Sequence, residues 1–150
     1  MHEVSPVAFI TGATSGIGEA CARRFAEAGW SLVLTSRRRK RLEALQQVLG
    51  DRVPVHVAPL DITDHDAVAR TIDALPPAFS AGRVLINSAG LALGKGPAQE
   101  AELADGHRMI DTNIKGLANV TLLLLPRLFV TGSGATVINI GSIAGHTPYP

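Results

Sequence analysis

Short, wholly apolar runs alternate with amphipathic stretches from one end of the chain to the other. Val7-Ala8-Phe9-Ile10, Ser31-Leu-Val-Leu-Thr35, Arg83-Val-Leu-Ile-Asn87 and Ala135-Thr-Val-Ile-Asn-Ile140 are apolar at consecutive positions. Strands buried on both faces read this way. Val53 to Leu60 is a further strand, irregular at Pro54 and Pro59. The intervening stretches carry helical spacing. A first helix is expected from Ser15 to Ala28, with Ile17, Ala20, Cys21, Phe25 and Ala28 inward and Gly29 as its stop. The basic run Arg37–Arg41 opens a second, with Leu42, Leu45, Val48 and Leu49 inward and Gly50-Asp51 at its end. Thr63-Asp64-His65-Asp66 fits a capping box. A third helix should start there and run to about Leu75, before Pro76-Pro77. Residues 91–101 read as loop. A long helix follows from Leu103 to Leu128, with Pro126 near its end.

Five strands alternating with helices predict an α/β fold, a parallel sheet covered by helices on both faces. Right-handed crossovers make it doubly wound, with a crevice at the carboxyl ends of the strands. Gly12–Gly18, Ser36–Arg38, Asn87–Gly90 and Gly141–Ser142 are turns at those ends, and Asp61 follows the third strand. Their convergence on one crevice carries more than any one of them.

Thr11-Gly12-Ala13-Thr14-Ser15-Gly16-Ile17-Gly18 joins the first strand to the first helix. Such a turn cradles phosphate, because glycine lets the backbone approach and the helix N-terminus presents free N–H groups. The spacing is G-x-x-x-G-x-G, and a tight turn without ligand is the competing reading. Dinucleotide folds usually place a carboxylate about 20 residues further on, where it binds the adenosine ribose. Here that place holds Ser36, followed by Arg37 and Arg38. A carboxylate would repel a 2′-phosphate, whereas an arginine pairs with it. The pocket therefore reads as built for NADP. A solvated basic helix start explains Arg39, Lys40 and Arg41 but not the missing acid. Asp61-Ile62 could border an adenine ring or simply end a strand. Asn87-Ser88-Ala89-Gly90 is small enough for a ribose to approach, or is an ordinary turn.

The remaining features bound the possibilities. The 150 residues carry a net charge of +1, which argues against nucleic-acid and membrane partners. The single cysteine, Cys21, has no internal partner, and the 5 histidines share no metal-like spacing. The longest apolar stretch, Leu122 to Val130, is broken by Pro126 and Arg127 and is too short to span a bilayer. No signal segment is visible. One domain over residues 1–150, in the cytoplasm, is the expectation.

Together these motifs resemble the short-chain dehydrogenase/reductase family. The resemblance is carried by Thr11–Gly18, Leu60-Asp61-Ile62-Thr63, Asn87-Ser88-Ala89-Gly90, Asn113 within Asp111-Thr-Asn-Ile-Lys-Gly116, and Ile138-Asn-Ile-Gly-Ser142, in the family's order. Thr35–Leu42, Gly90–Gly94 and Asp111–Leu117 are similar to its NADP-dependent 3-hydroxy acid dehydrogenase branch, which acts on serine and allo-threonine. The resemblance implies a Rossmann-type doubly wound sheet of which the first five strands are present. It implies oxidation of an alcohol, or the reverse carbonyl reduction, by hydride transfer with NADP(H), on a small-molecule substrate such as a short 3-hydroxy acid. Gly12, Ala13, Thr14, Ser15, Gly16 and Ile17 would hold the pyrophosphate and adjacent ribose. Arg37 and Arg38 would take the 2′-phosphate, Asp61 and Ile62 the adenine, and Asn87, Ser88 and Ala89 the inner ribose. Ser142 would bind the substrate oxygen, and Asn113 would tie a water into the proton relay. A homodimer or homotetramer is implied as well.

The chain departs from the family at Ser88, where a second asparagine is usual, and at Arg83, where an aspartate is common. The family's acid/base tyrosine and its lysine four residues later are expected beyond Pro150, in a longer chain. Tyr149, the only tyrosine, stands nearer to Ser142 than that tyrosine does and reads as part of a substrate-side loop, His146–Pro150. The 150 residues taken alone would then be inactive. A catalytically incomplete NADP(H)-binding module is the alternative reading. A scaffold for protein interactions leaves Arg37-Arg38 without a purpose.

Overall fold

The computed structural model describes residues 5–94, 96–130 and 134–147. Val7–Thr11 (β1) lies at the centre of a five-stranded sheet. Ser31–Ser36 (β2) pairs with it on one side and Gly82–Asn87 (β4) on the other, both parallel. Val55–Pro59 (β3) adds beyond β2, and Thr136–Asn139 (β5) adds beyond β4, so the order is β3-β2-β1-β4-β5. The chain reverses direction across the sheet at β1, and a crevice opens at the carboxyl ends there. This is the doubly wound parallel sheet expected from the alternation of apolar runs.

Side chains alternate across the central strands and feed two cores. Ala8, Ile10, Leu32, Leu34 and Ile86 face Gly16–Glu27 (α1) and Arg39–Gly50 (α2). Val7, Phe9, Val33 and Leu85 face His65–Asp73 (α3) and Leu117–Phe129 (α5). Burial on both faces is why β1 and β2 carry no polar alternation.

Helix faces differ from the sequence expectation in informative ways. In α1 the buried positions are Gly18, Ala22 and Ala26, with Cys21 and Phe25 on the flank. Ile17 is 56% exposed, and Ala20 and Ala28 are exposed too. The periodicity of large apolar residues points about a quarter turn away from the true face, because close packing on a sheet selects small side chains. In α2, Leu42, Leu45 and Leu49 are buried, while Val48 lies off that stripe and is exposed. Thr63 does not cap α3. Asp64 does, its carboxylate accepting from Ala67 N at 2.9 Å, and Thr63 Oγ1 donates to Asp61 Oδ1. Asp meets an N-terminal amide as well as Thr does and brings a charge that favours the helix dipole.

The long helix is not uniform. Leu103–Ile110 (α4) passes through a π-helical turn, Asp111–Gly116, before α5 begins. Such turns break the 3.6-residue period and occur at functional sites. Leu124 and Leu128 are buried and Leu125 packs against the core, whereas Leu122 and Phe129 are exposed.

His56, on β3, lies against Phe79 with ring centroids 5.6 Å apart, and burial lowers its pKa below the ordinary value. The unfolded chain therefore takes up the proton first as pH falls. Stability contributed by neutral His56 is complete above the ordinary imidazole range and is lost as pH falls through it. His56→Gln should flatten this slope, read as urea midpoints at pH about 5.5 and about 7.5.

Candidate active site

The glycine-rich turn is shaped by contacts that admit no side chain. Gly12 has φ +64°, and a Cβ there would meet the Ala89 backbone at 2.8 Å. A Cβ on Gly18 would run into the Gly12 carbonyl oxygen. The start of α1 is thus folded tightly under the β1 end, and the β4 turn lies against it. Thr11 Oγ1 accepts from Ser88 N and Ala89 N, both at 3.1 Å, which locks the two turns together. Ala13 is fully buried, and its N–H donates to Thr35 O at 3.1 Å.

Beside this turn stands a network of hydroxyls and one arginine. Ser15, at the N-cap of α1, makes no side-chain cap bond. Its Oγ instead accepts from Arg38 Nη2 at 2.7 Å, and Arg38 Nε donates to Thr14 Oγ1 at 3.0 Å. Thr14 and Ser36 hydroxyls are 2.8 Å apart, and Ser36 Oγ accepts from Arg38 N at 3.2 Å. Ser36 is therefore the hub that lets Arg38 reach back over the turn. Arg37 is exposed at the same rim.

The crevice encloses a cavity of 510 Å³. Its wall includes Gly12, Ser15, Gly16, Ile17, Ser36, Arg37, Arg38, Asp61, Ile62, Ser88 and Ala89, so most of the sequence-predicted residues converge on it. Its charged side chains are Arg37, Arg38 and Asp61, an excess of one positive charge. Asp61 Oδ1 accepts from Thr63 N at 3.0 Å and Thr63 Oγ1 at 2.8 Å. Ile62 is buried, and its carbonyl accepts from Asn119 Nδ2 at 3.0 Å. The cavity also touches Thr35, Leu60, Gly90, Leu91, Thr112 and Ile140. Each of these lies within a motif that carries the family resemblance, where its neighbours rather than the residue itself bear the chemical signature.

Ala13, Thr14 and Asn87 stand behind the cavity wall rather than on it. Thr14 is 4% and Asn87 3% exposed. Asn113 is exposed, and its amide is committed to one residue: Oδ1 accepts from Leu91 N at 2.9 Å and Nδ2 donates to Leu91 O at 2.8 Å. Ser142 follows β5, is exposed, and accepts from Ala144 N at 3.2 Å, capping the short turn Ile143–Gly145. Tyr149 lies outside the described residues. Among the described residues no group of three His, Cys, Asp or Glu side chains could hold a metal ion, and no helix is long and apolar enough to cross a membrane.

The family profile described as short chain dehydrogenase matches residues 6–150. The chain belongs to the short-chain dehydrogenase family. Among its relatives in this family is sulfoacetaldehyde reductase 2 of Chromohalobacter salexigens, 58% identical over 98% of this chain and 58% of that protein. Serine 3-dehydrogenase of Agrobacterium fabrum is 47% identical over 97% of this chain and 57% of that protein. The closed form of a serine dehydrogenase complexed with NADP⁺ superposes with a TM-score of 0.88 at 40% identity, over 95% of this chain and 56% of that one. The chain thus spans less than two thirds of the length of these relatives.

Proposed function

We propose that this chain forms the NADP(H)-binding part of an oxidoreductase that interconverts a short acidic alcohol and its aldehyde or ketone. The observation that carries the reading is Arg38, held by Thr14, Ser15 and Ser36, with Ser36 standing where an NAD-type site would hold a carboxylate. The residues fit the cofactor. Gly12 and Gly16 line the crevice without side chains, and Gly12 and Gly18 let the turn pack onto the Ala89 backbone and onto itself, where a Cβ would collide. The N-terminus of α1 favours negative charge beside it. Arg37 and Arg38 would take the 2′-phosphate, Asp61 and Ile62 would border the adenine, and the Ser88-Ala89 turn would admit the inner ribose. The complex of a relative with NADP⁺ supports this choice.

When bound, the cofactor supplies or accepts the hydride. The chain's own work is orientation and charge. Ser142, two residues beyond the cavity-lining Ile140, would donate to the substrate oxygen as charge builds there. The side chain of Asn113 holds the Leu91 backbone, so a water in the proton relay would meet its backbone carbonyl in the π-helical turn. The family's Tyr-x-x-x-Lys acid/base pair would belong to the part of the protein following residue 150. That the relatives are named for reductase and dehydrogenase reactions favours this reading over a non-catalytic NADP(H)-binding module.

The two named relatives also narrow the substrate. Sulfoacetaldehyde carries its carbonyl one carbon away from a sulfonate, and serine carries its hydroxyl one carbon away from the carbon that bears the carboxylate. A short β-hydroxy acid, sulfonate or carboxylate, covers both. The test is full-length protein assayed for NADPH oxidation with sulfoacetaldehyde, and for NADP⁺ reduction with serine and 3-hydroxypropionate. Turnover with at least one of these, above that with an uncharged short aldehyde or alcohol, is expected. Equal rates with uncharged substrates would contradict the substrate class. A cytoplasmic homodimer or homotetramer completes the reading. The exposed Leu103, Ile110, Ile114, Leu122 and Phe129 support burial of α4 and α5 against further protein.

A further inference from the structure

We propose that Thr121 and Asn139 are positioning residues that set the placement of Ser142 through the buried amide of Asn87. The inference rests on the reading of Ser142 as the residue at the substrate oxygen. An inner-ribose role would turn the Asn87 side chain toward the crevice, but it is buried behind the cavity wall. Its Nδ2 donates to Thr121 Oγ1 at 2.9 Å and to Asn139 Oδ1 at 2.8 Å. A primary amide has two N–H groups, and both are spent, one on each partner. Asn87 Oδ1 has no partner among the described residues, so the two N–H bonds define the orientation of the amide.

These three residues sit on the three elements that carry the proposed chemistry. Asn87 ends β4 and begins the Ser88-Ala89 turn. Thr121 lies in the first turns of α5, which continues from the π-helical turn containing Asn113. Asn139 ends β5, directly opposite Asn87 in the ladder, three residues before Ser142. One side chain therefore ties the cofactor turn, the Asn113 helix and the Ser142 strand to a common point.

The register of β5 on β4 sets where Ser142 lies, and Val137 is the strand residue that packs against a core. The last backbone bond of the ladder, Ile140 N to Asn87 O at 3.0 Å, again ends on Asn87. A slip of β5 by one residue against β4 would turn Ser142 to the opposite face. The Asn87–Asn139 bond opposes that slip, and the Asn87–Thr121 bond fixes the amide that makes it.

The test is a double-mutant cycle in the full-length protein. Thr121→Val, nearly isosteric and lacking the hydroxyl, should lower kcat about tenfold, the order expected for one buried hydrogen bond lost. NADPH affinity should stay within about twofold, and Thr121→Ser should restore turnover. Asn139→Ala removes the other arm and should behave as Thr121→Val does. In a Ser142→Ala background neither change should lower kcat further, because the group they position is gone. A merely structural role would give losses that multiply with Ser142→Ala, fall on NADPH binding as well, and persist in Thr121→Ser. Either that pattern or unchanged turnover in Thr121→Val and Asn139→Ala would overturn the proposal. Wild-type turnover in Ser142→Ala would instead strike the reading of Ser142, and the positioning role with it.

Discussion

Ser142→Ala should lower kcat of the full-length enzyme by about 100- to 1,000-fold, the loss typical of removing one donor from a developing oxyanion. NADPH affinity should be unchanged. The expectation follows from where β5 delivers the residue. Asn139 is bonded to Asn87 at the β4 end, and because β4 and β5 run parallel, Ser142 follows at the same carboxyl end as the Ser88-Ala89 turn. Its hydroxyl accepts from Ala144 N, which leaves its own O–H free to donate. A serine serving only as a turn cap would cost stability on substitution but little turnover. Separate measurement of kcat, the KM for substrate and the NADPH Kd distinguishes the two. A fall in kcat alone marks an interaction made in the transition state.

The second large effect concerns cofactor choice. Ser36→Asp combined with Arg37→Ala should reverse a preference for NADPH into one for NADH, moving the ratio of affinities by about tenfold to over a hundredfold. Two charges change, and the geometry makes the first act twice. Ser36 Oγ lies 2.8 Å from the Thr14 hydroxyl and accepts from Arg38 N. A carboxylate there repels the 2′-phosphate and also pairs with the Arg38 guanidinium, drawing it away from Thr14 and Ser15. The same carboxylate accepts from the adenosine ribose 2′-OH, which is free in NADH and phosphorylated in NADPH. Arg37→Ala alone should weaken NADPH and leave NADH nearly untouched, since Arg37 is exposed at the rim rather than tied into the turn.

What sequence reveals of this molecule follows from what burial does to composition. β1 and β2 are buried on both faces, so their apolar runs are unbroken and their positions legible. The turns at their ends are legible too, because glycine at Gly12 and Gly18 answers a steric demand that other residues cannot meet. The facing of α1 is not legible in the same way. Gly18, Ala22 and Ala26 lie closest to the sheet, and small residues contribute little to a hydrophobic pattern while larger Ile17 stands at the cavity mouth. The π-helical turn escapes pattern reading because over Asp111–Gly116 the hydrogen-bond spacing changes without any change of residue type that would mark it. The partners of the amides are the least legible. Asn87 and Asn113 invite assignment to ligand and water, and their side chains bond within the protein, Asn87 to Thr121 and Asn139 and Asn113 to Leu91. Their partners are 34, 52 and 22 residues away, distances at which sequence carries no pairing signal.

Titration of the full-length protein with NADPH and with NADH, followed by nucleotide fluorescence at one ionic strength, asks directly whether Arg37 and Arg38 form a 2′-phosphate seat. NADPH should bind at least about tenfold more tightly, as one charge-assisted contact requires. Its advantage should shrink as salt is raised. Equal or tighter binding of NADH would contradict the assignment of these arginines and of the cofactor.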